Sequence, residues 1–263
     1  MLPIIPHLSL FSITAATLAA FIAGLIDTIA GGGGLIILPT LLMLGFSPQM
    51  ALGTNKFQAC FGSGTAAYRF YKTGQVRSSD LELLFGILMT FIGASIGTLC
   101  ILVLSGDFLK KIIPWLLLLA LIYILAAPQK YLQGERAALI NKYFFLMLFG
   151  IGLGFYDGFF GPGTGSLWAV LIMIFLGLDL KNATMHAKIF NFSSNLAALA
   201  WFIWAQHVDY ELGFFMGIGQ TIGAIIGSLL VLHRGTRLIR PVFICMVSVM
   251  IILLIIKNNG AVF

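Results

Sequence analysis

Two lysines lie inside long apolar stretches, Lys56 in Thr54-Asn55-Lys56 and Lys188 in His186-Ala187-Lys188. A charge within such a stretch is costly and is expected to face a polar interior or to snorkel to its edge. Two carboxylates have equally apolar surroundings: Asp27 and Asp157 each stand four residues before a glycine-rich break. These breaks are Gly31-Gly32-Gly33-Gly34 and Gly161-Pro162-Gly163-Thr164-Gly165. Glycine inside a helix costs about 1 kcal/mol relative to alanine, so each run marks a place where a helix unwinds. A helix restarting there presents free N–H groups and the positive end of its dipole, which suits an anion. The expected anion-binding groups are therefore Gly33, Gly34, Gly163, Thr164 and Gly165 with Lys56 and Lys188. Asp27 and Asp157 are candidate proton carriers. They could equally ligate a cation, cap local backbone or pair with the lysines.

Hydrogen-bonding side chains cluster near the lysines: Thr54, Asn55 and Gln58 in one segment, Asn191, Ser194 and Asn195 in the other. Lys188, Asn191 and Asn195 share one helix face. They either add to the site or pack polar groups between helices. His186 is better read as structural. Gly93-x-Ser95-x-Gly97 fits a nucleophile pattern, but it lies in an apolar run with no strand before it, so close helix packing explains it better than catalysis. No zinc-protease or phosphate-loop motif occurs, and Cys60, Cys100 and Cys245 have no metal or disulfide spacing. The expectation is a chain that is not an enzyme and needs neither metal nor cofactor.

These residues need a scaffold that puts them at membrane depth. Of 263 residues, 60% are hydrophobic and 9% charged, and the mean hydropathy is +1.04. A soluble domain is nearer one quarter charged. Spans of roughly 20 apolar residues allow about eight to ten crossings. The start of the chain lacks the pattern of a cleaved signal and is read as a retained helix. The net charge of +6 falls mostly between apolar runs, which fits orientation in a bilayer rather than nucleic-acid binding. Apolar segments are expected over 8–30, 35–46, 49–71, 81–104 and 108–127, then 143–160, 166–178, 181–206, 212–232 and 238–256.

The second group repeats the first. Asp27 and Asp157, Gly31 and Gly161, and Gly33 and Gly163 are each 130 residues apart, and Lys56 and Lys188 are 132 apart. Gly93-Ala94-Ser95-Ile96-Gly97 returns as Gly223-Ala224-Ile225-Ile226-Gly227. The expected division is a first repeat over 1–127, a cytoplasmic linker over 128–142 and a second repeat over 143–263. The links at 69–79, 128–142 and 232–240 are rich in Lys and Arg and read as cytoplasmic; 206–211 carries Asp209 and Glu211 and reads as outside. Since 69–79 and 206–211 are equivalent links, the expected fold is an all-α polytopic membrane protein with inverted repeats of five plus five segments and both termini outside. If the short runs 35–46 and 166–178 are re-entrant, the alternative is four plus four.

The motifs resemble those of the TauE/SafE family, the sulfite exporters and sulfonate permeases. The resemblance rests on Gly24-Leu25-Ile26-Asp27 leading into Gly31–Gly34, on Leu38-Pro39, on Gly53-Thr54-Asn55-Lys56 and on the second copy from Asp157 to Gly165. It covers essentially the whole chain. It implies a secondary transporter of a small sulfur-containing anion, such as sulfite or an organosulfonate, as a multi-pass protein of the bacterial inner membrane. Protons are the expected coupling ion, and the bilayer and a second copy of the chain are the partners the reading allows. His186-Ala187 stands where the first copy has Thr54-Asn55, so that motif's role does not carry over to the second half. The rivals are an uncoupled anion channel and a membrane assembly or scaffold subunit.

Overall fold

The computed structural model describes residues 9–76, 78–126 and 136–234. The expected segment 238–256, most of the link at 232–240 and Cys245 lie outside the described residues, as does most of the linker at 128–142. Nine helices make up the described fold: α1 (Leu10–Ala30), α2 (Gly34–Met43), α3 (Pro48–Lys72), α4 (Asp80–Leu102), α5 (Gly106–Ala126), α6 (Lys142–Phe159), α7 (Thr164–Phe175), α8 (Leu180–Trp204) and α9 (Tyr210–Arg234). The segments expected from sequence match them to within a few residues at each end. Local chemistry sets several starts. Ser79 and Glu82 form a reciprocal capping box at α4. Asn141 caps α6 and Asp179 caps α8. Proline opens α3.

Helices α1, α4 and α9 are each long and apolar enough to cross a bilayer, while α2 and α7 are shorter apolar helices. Large apolar side chains are exposed in rows, as with Phe214, Ile218, Ile222 and Ile226 on α9, or Leu81, Leu84, Leu88 and Phe91 on α4. Such continuous apolar faces are unusual in water and suit lipid. The polar helices α3 and α8 occupy the centre, with most of their residues buried.

The two glycine breaks turn the chain back on itself. Gly31 is left-handed (φ 75°) and its N–H donates to the Asp27 carbonyl at 2.7 Å. A Cβ on Gly33 would meet Ala23 and Asp27, so α2 folds back along α1. Likewise the ring of Phe175, at the end of α7, lies 5.1 Å from Phe149 and 6.4 Å from Phe145 near the start of α6. Each short helix is thus the return arm of a hairpin. The tips of the two hairpins meet: a Cβ on Gly31 would fall 2.2 Å from the Gly165 carbonyl carbon, and the Ser166 hydroxyl donates to the Ala30 carbonyl.

Neighbour contacts give the helix directions. Gly219, Gly223 and Gly227 of α9 lie in turn against Thr17, Phe21 and Leu25 of α1, so the two helices run the same way. Thr54, Phe57, Phe61 and Arg69 of α3 meet Asp209, Gly213, Gly217 and Ser228 in the same sense. Met89 and Gly93 of α4 pair with Gly150 and Ile151 of α6, and Gly97 with Phe155. Ser78 and Gly86 meet His186 and Phe190. Across the centre the order reverses, with Lys56 beside Asn195 and Gly64 beside Phe192. Helices α1, α3 and α9 therefore point one way, and α4, α6 and α8 the other.

One end of the bundle gathers the links around 73–79, 136–141 and 176–179, held by Ser78 to His186, by the Arg136 N–H to the Gly177 carbonyl, and by Lys181 to the Leu232 carbonyl. The opposite end gathers 44–48, 103–105 and 205–209, through Gln49 to the Leu104 carbonyl and Gly53 against His207. The basic link at 69–79 and the acidic link at 206–211 thus lie at opposite ends of the bundle.

Helix pairs α1–α9 and α4–α6 approach through glycine, as small-residue packing requires. A Cβ at Gly223 would stand 2.1 Å from the Phe21 carbonyl oxygen, whereas one at Gly152 meets nothing within 4 Å. Gly223→Ala is therefore expected to destabilise by about 1–3 kcal/mol and Gly152→Ala to leave stability unchanged or slightly raised, read as thermal unfolding in detergent. Equal melting of the two variants would contradict this packing.

Candidate functional site

The four charged groups singled out from sequence form two ion pairs that cross between the halves. Lys56 Nζ lies 2.7 Å from Asp157 Oδ1 and Lys188 Nζ lies 2.7 Å from Asp27 Oδ2. Both lysines and Asp157 are about 1% exposed; the Asp27 side chain is 15% exposed. Neither lysine snorkels, because each has an opposite charge at hydrogen-bond distance inside the bundle.

The elements explain the placement. Asp27 and Asp157 sit near the ends of α1 and α6, just before the hairpin tips. Lys56 and Lys188 sit in the first half of α3 and α8, the central helices. Because the two tips meet at the bundle centre, each carboxylate is delivered to the lysine of the other half.

The two carboxylates are dressed differently. Asp157 accepts from Lys56, from Thr164 Oγ1 at 3.2 Å, from Asn191 Nδ2 at 3.1 Å and from the Ser194 hydroxyl. Asp27 accepts from Lys188 and from the Gly33 N–H at 3.1 Å. Lys56 also donates to Asn195 Oδ1 at 3.1 Å. A buried ion pair is tolerated when further hydrogen bonds complete it, and the pair at Asp157 is the more complete.

A cavity opens between these groups, lined by Asp27, Asn55, Lys56, Asp157, Asn191 and Asn195, together with Gly34, Gly163 and Gly165 of the two helix starts. Its volume is about 20 Å³ of space open to water centres, roughly what one water needs. An anion of several heavy atoms enters only as the walls move apart. The starts of α2 and α7 reach this cavity through Gly34, Gly163 and Gly165, so the positive ends of both helix dipoles face it.

Most residues expected at the site are together there. Gly33 gives its N–H to Asp27 and Thr164 its hydroxyl to Asp157. Lys188 stands just behind, with Nζ 3.2 Å from where a Gly165 Cβ would lie. Thr54 is elsewhere: its Oγ1 accepts from the Asp209 N–H at 3.0 Å and ties α3 to the link before α9. His186 joins Ser78 and the Asn182 carbonyl at the bundle end. The sequence reading missed Gln220, which lines the cavity from α9. The available signal was an amide isolated in an otherwise apolar helix.

Removing Lys56 strands the Asp157 carboxylate in the interior, which typically costs about 3–5 kcal/mol. Lys56→Ala is expected to melt well below the parent protein in detergent. Lys188→Ala should lose less, since Asp27 reaches the cavity, and the paired change Lys56→Met with Asp157→Leu should recover much of the loss. If Lys56→Ala melts like the parent, the buried pair does not hold the fold.

The family model described as "Sulfite exporter TauE/SafE" matches residues 16–254. The chain is 41% identical over 241 residues to the "Probable membrane transporter protein YfcA" of Escherichia coli strain K12, covering 92% of this chain and 88% of that protein. A "Probable membrane transporter protein" of Haemophilus influenzae is 42% identical over 226 residues, covering 86% of this chain and 88% of the relative. YjnA of Bacillus subtilis, likewise called a probable membrane transporter protein, is 25% identical over 262 residues. With the family model matched along nearly its whole length and relatives of 41% and 42% identity, this chain belongs to the TauE/SafE sulfite exporter family.

Proposed function

We propose that this chain is a secondary transporter that carries a small anion, sulfite or an organosulfonate, across the cell inner membrane in exchange with or alongside protons. The observation that carries this reading is the charge-balanced cavity between two helix breaks, where each lysine is neutralised by an aspartate of the other half. The family description names a sulfite exporter, and the relatives' names describe membrane transporters without a stated substrate.

The chemistry follows from charge. With both pairs formed, two lysines and two aspartates sum to zero, so an added anion leaves one uncompensated charge at membrane depth. Such a charge is expensive. Protonating one carboxylate removes its charge, frees the lysine partner and lets the anion take its place. One proton per added negative charge keeps the site neutral, which is the basis of coupling. The helix starts at Gly33–Gly34 and Gly163–Gly165 add N–H donors to the anion's oxygens, and Asn55, Asn191 and Asn195 complete its shell.

The same reading takes the halves as inverted repeats in a multi-pass fold, with the anion near the midplane. It is supported by the opposite directions of α1 and α6, of α3 and α8, and of α4 and α9, and by the basic and acidic links at opposite ends. In a chain whose native cysteines are replaced, Gln75→Cys should be labelled from the cytoplasmic side of the membrane and Gln206→Cys from the outside. Labelling of both from one side would exclude inversion.

Sulfite flux into proteoliposomes, with and without an imposed pH gradient, tests the transport reading. The expected result is flux driven by the gradient and reduced at least tenfold in Lys56→Ala and Lys188→Ala. Asp27→Asn and Asp157→Asn should abolish the dependence on the gradient. Rapid flux that ignores the gradient would indicate an uncoupled anion channel. Unchanged transport in both lysine variants would remove the lysines from the site.

A further inference from the structure

Two groups in the cavity wall take no part in the ion pairs. Gln58 is 1% exposed and Gln220 is 2% exposed. Both line the cavity, and among the described residues the Oε1 of each has no hydrogen-bond partner. The orientation of Gln58 is fixed, because its Nε2 donates to the Asn55 carbonyl at 3.1 Å and to Asn55 Oδ1 at 2.9 Å. Both partners are pure acceptors, so the amide nitrogen belongs on that side and the oxygen is left over. A buried acceptor without a partner is a significant cost, and buried polar groups are nearly always satisfied. Two such oxygens on one cavity call for donors that enter it.

The repeat makes the pair informative. Lysine, aspartate and glycine positions recur in both halves, but these amides do not. The position equivalent to Gln58 is Phe190, whose ring packs 4.8 Å from Trp168. The position equivalent to Gln220 is Thr90, whose hydroxyl donates to the Gly86 carbonyl within its own helix at 2.7 Å. The shared positions build the fold and the ion pairs, whereas each amide oxygen stands at a position whose counterpart in the other half carries no amide.

We propose that Gln58 and Gln220 recognise a hydrogen-bond donor on the transported anion, so that the substrate is an oxyanion bearing a hydroxyl or ammonium group as well as its charged head. This rests on the anion-carrier reading above and narrows it. A carbonyl oxygen repels the oxygens of an anionic head, which turn instead to Lys56 and the helix starts. The donor group of the same molecule meets the amide oxygens. A site built to hydrogen-bond a substrate group rejects an analogue that lacks it far more strongly than size alone would.

The test compares isethionate with ethanesulfonate, which share charge and carbon skeleton and differ by one hydroxyl. Binding to the purified full-length protein is measured by calorimetry. Isethionate is expected to bind roughly tenfold or more tightly, and in Gln58→Met and Gln220→Met that ratio is expected to fall toward one. Equal binding of the two by the parent protein overturns the inference, whatever the variants do. So does a ratio that survives the double substitution. Equal binding that requires sodium overturns it in favour of a cation held by the amide oxygens. Sulfite flux without binding of either sulfonate overturns this inference alone, and loss of both flux and binding removes the carrier reading with it.

Discussion

The fold is organised by the need to neutralise four charges inside an apolar bundle. Each lysine could have been paired within its own half. Instead Lys56 reaches Asp157 and Lys188 reaches Asp27, each at 2.7 Å, so neither half can satisfy its charges alone. A lone charge at that depth is so unfavourable that the two halves must interlock before the interior is electrically neutral. The hairpin geometry is the means. A glycine break near each aspartate turns the chain and lets the two tips approach until backbone meets backbone at Gly31 and Gly165.

That contact limits what the tips can be made of. Gly31 needs a left-handed backbone and also lacks room for a Cβ, so two separate constraints fall on one residue. At Gly161 a Cβ would lie 2.8 Å from both Asp157 Oδ1 and Lys56 Nζ and would press on the ion pair itself. The glycines therefore do more than loosen a helix: they set how closely the carboxylates and lysines of opposite halves can come.

Much of this was legible in the sequence, for physical reasons. Duplicated spacing reveals equivalent residues, apolar run length reveals segments, and a charge in such a run marks a polar interior. The links at 69–79 and 206–211, unlike in charge, lie at opposite ends of the bundle. Partner choice was not legible. Nothing in the spacing says that Lys56 prefers Asp157 to Asp27, because that depends on how the hairpin tips cross in space. Thr54 illustrates the same limit. It shares a motif with Lys56, yet two positions along a helix turn the side chain by about 200°, and its hydroxyl faces the α8–α9 link rather than the cavity. Gln220 belongs to no repeated pattern, so its only signal was an amide within an apolar helix.

The two ion pairs are not alike, although their residues recur at matching spacings in the sequence. Among the described residues, Asp157 is held by Lys56 and by three side chains of α7 and α8, while Asp27 accepts from Lys188 and the Gly33 N–H and is partly exposed. Separating Lys56 from Asp157 disturbs contacts on α3, α7 and α8 together, whereas separating Lys188 from Asp27 disturbs one salt bridge at a hairpin tip. The two halves thus differ in how many partners hold each carboxylate: the Asp157 pair ties three helices together, and the Asp27 pair rests on a lysine and one backbone N–H at a hairpin tip.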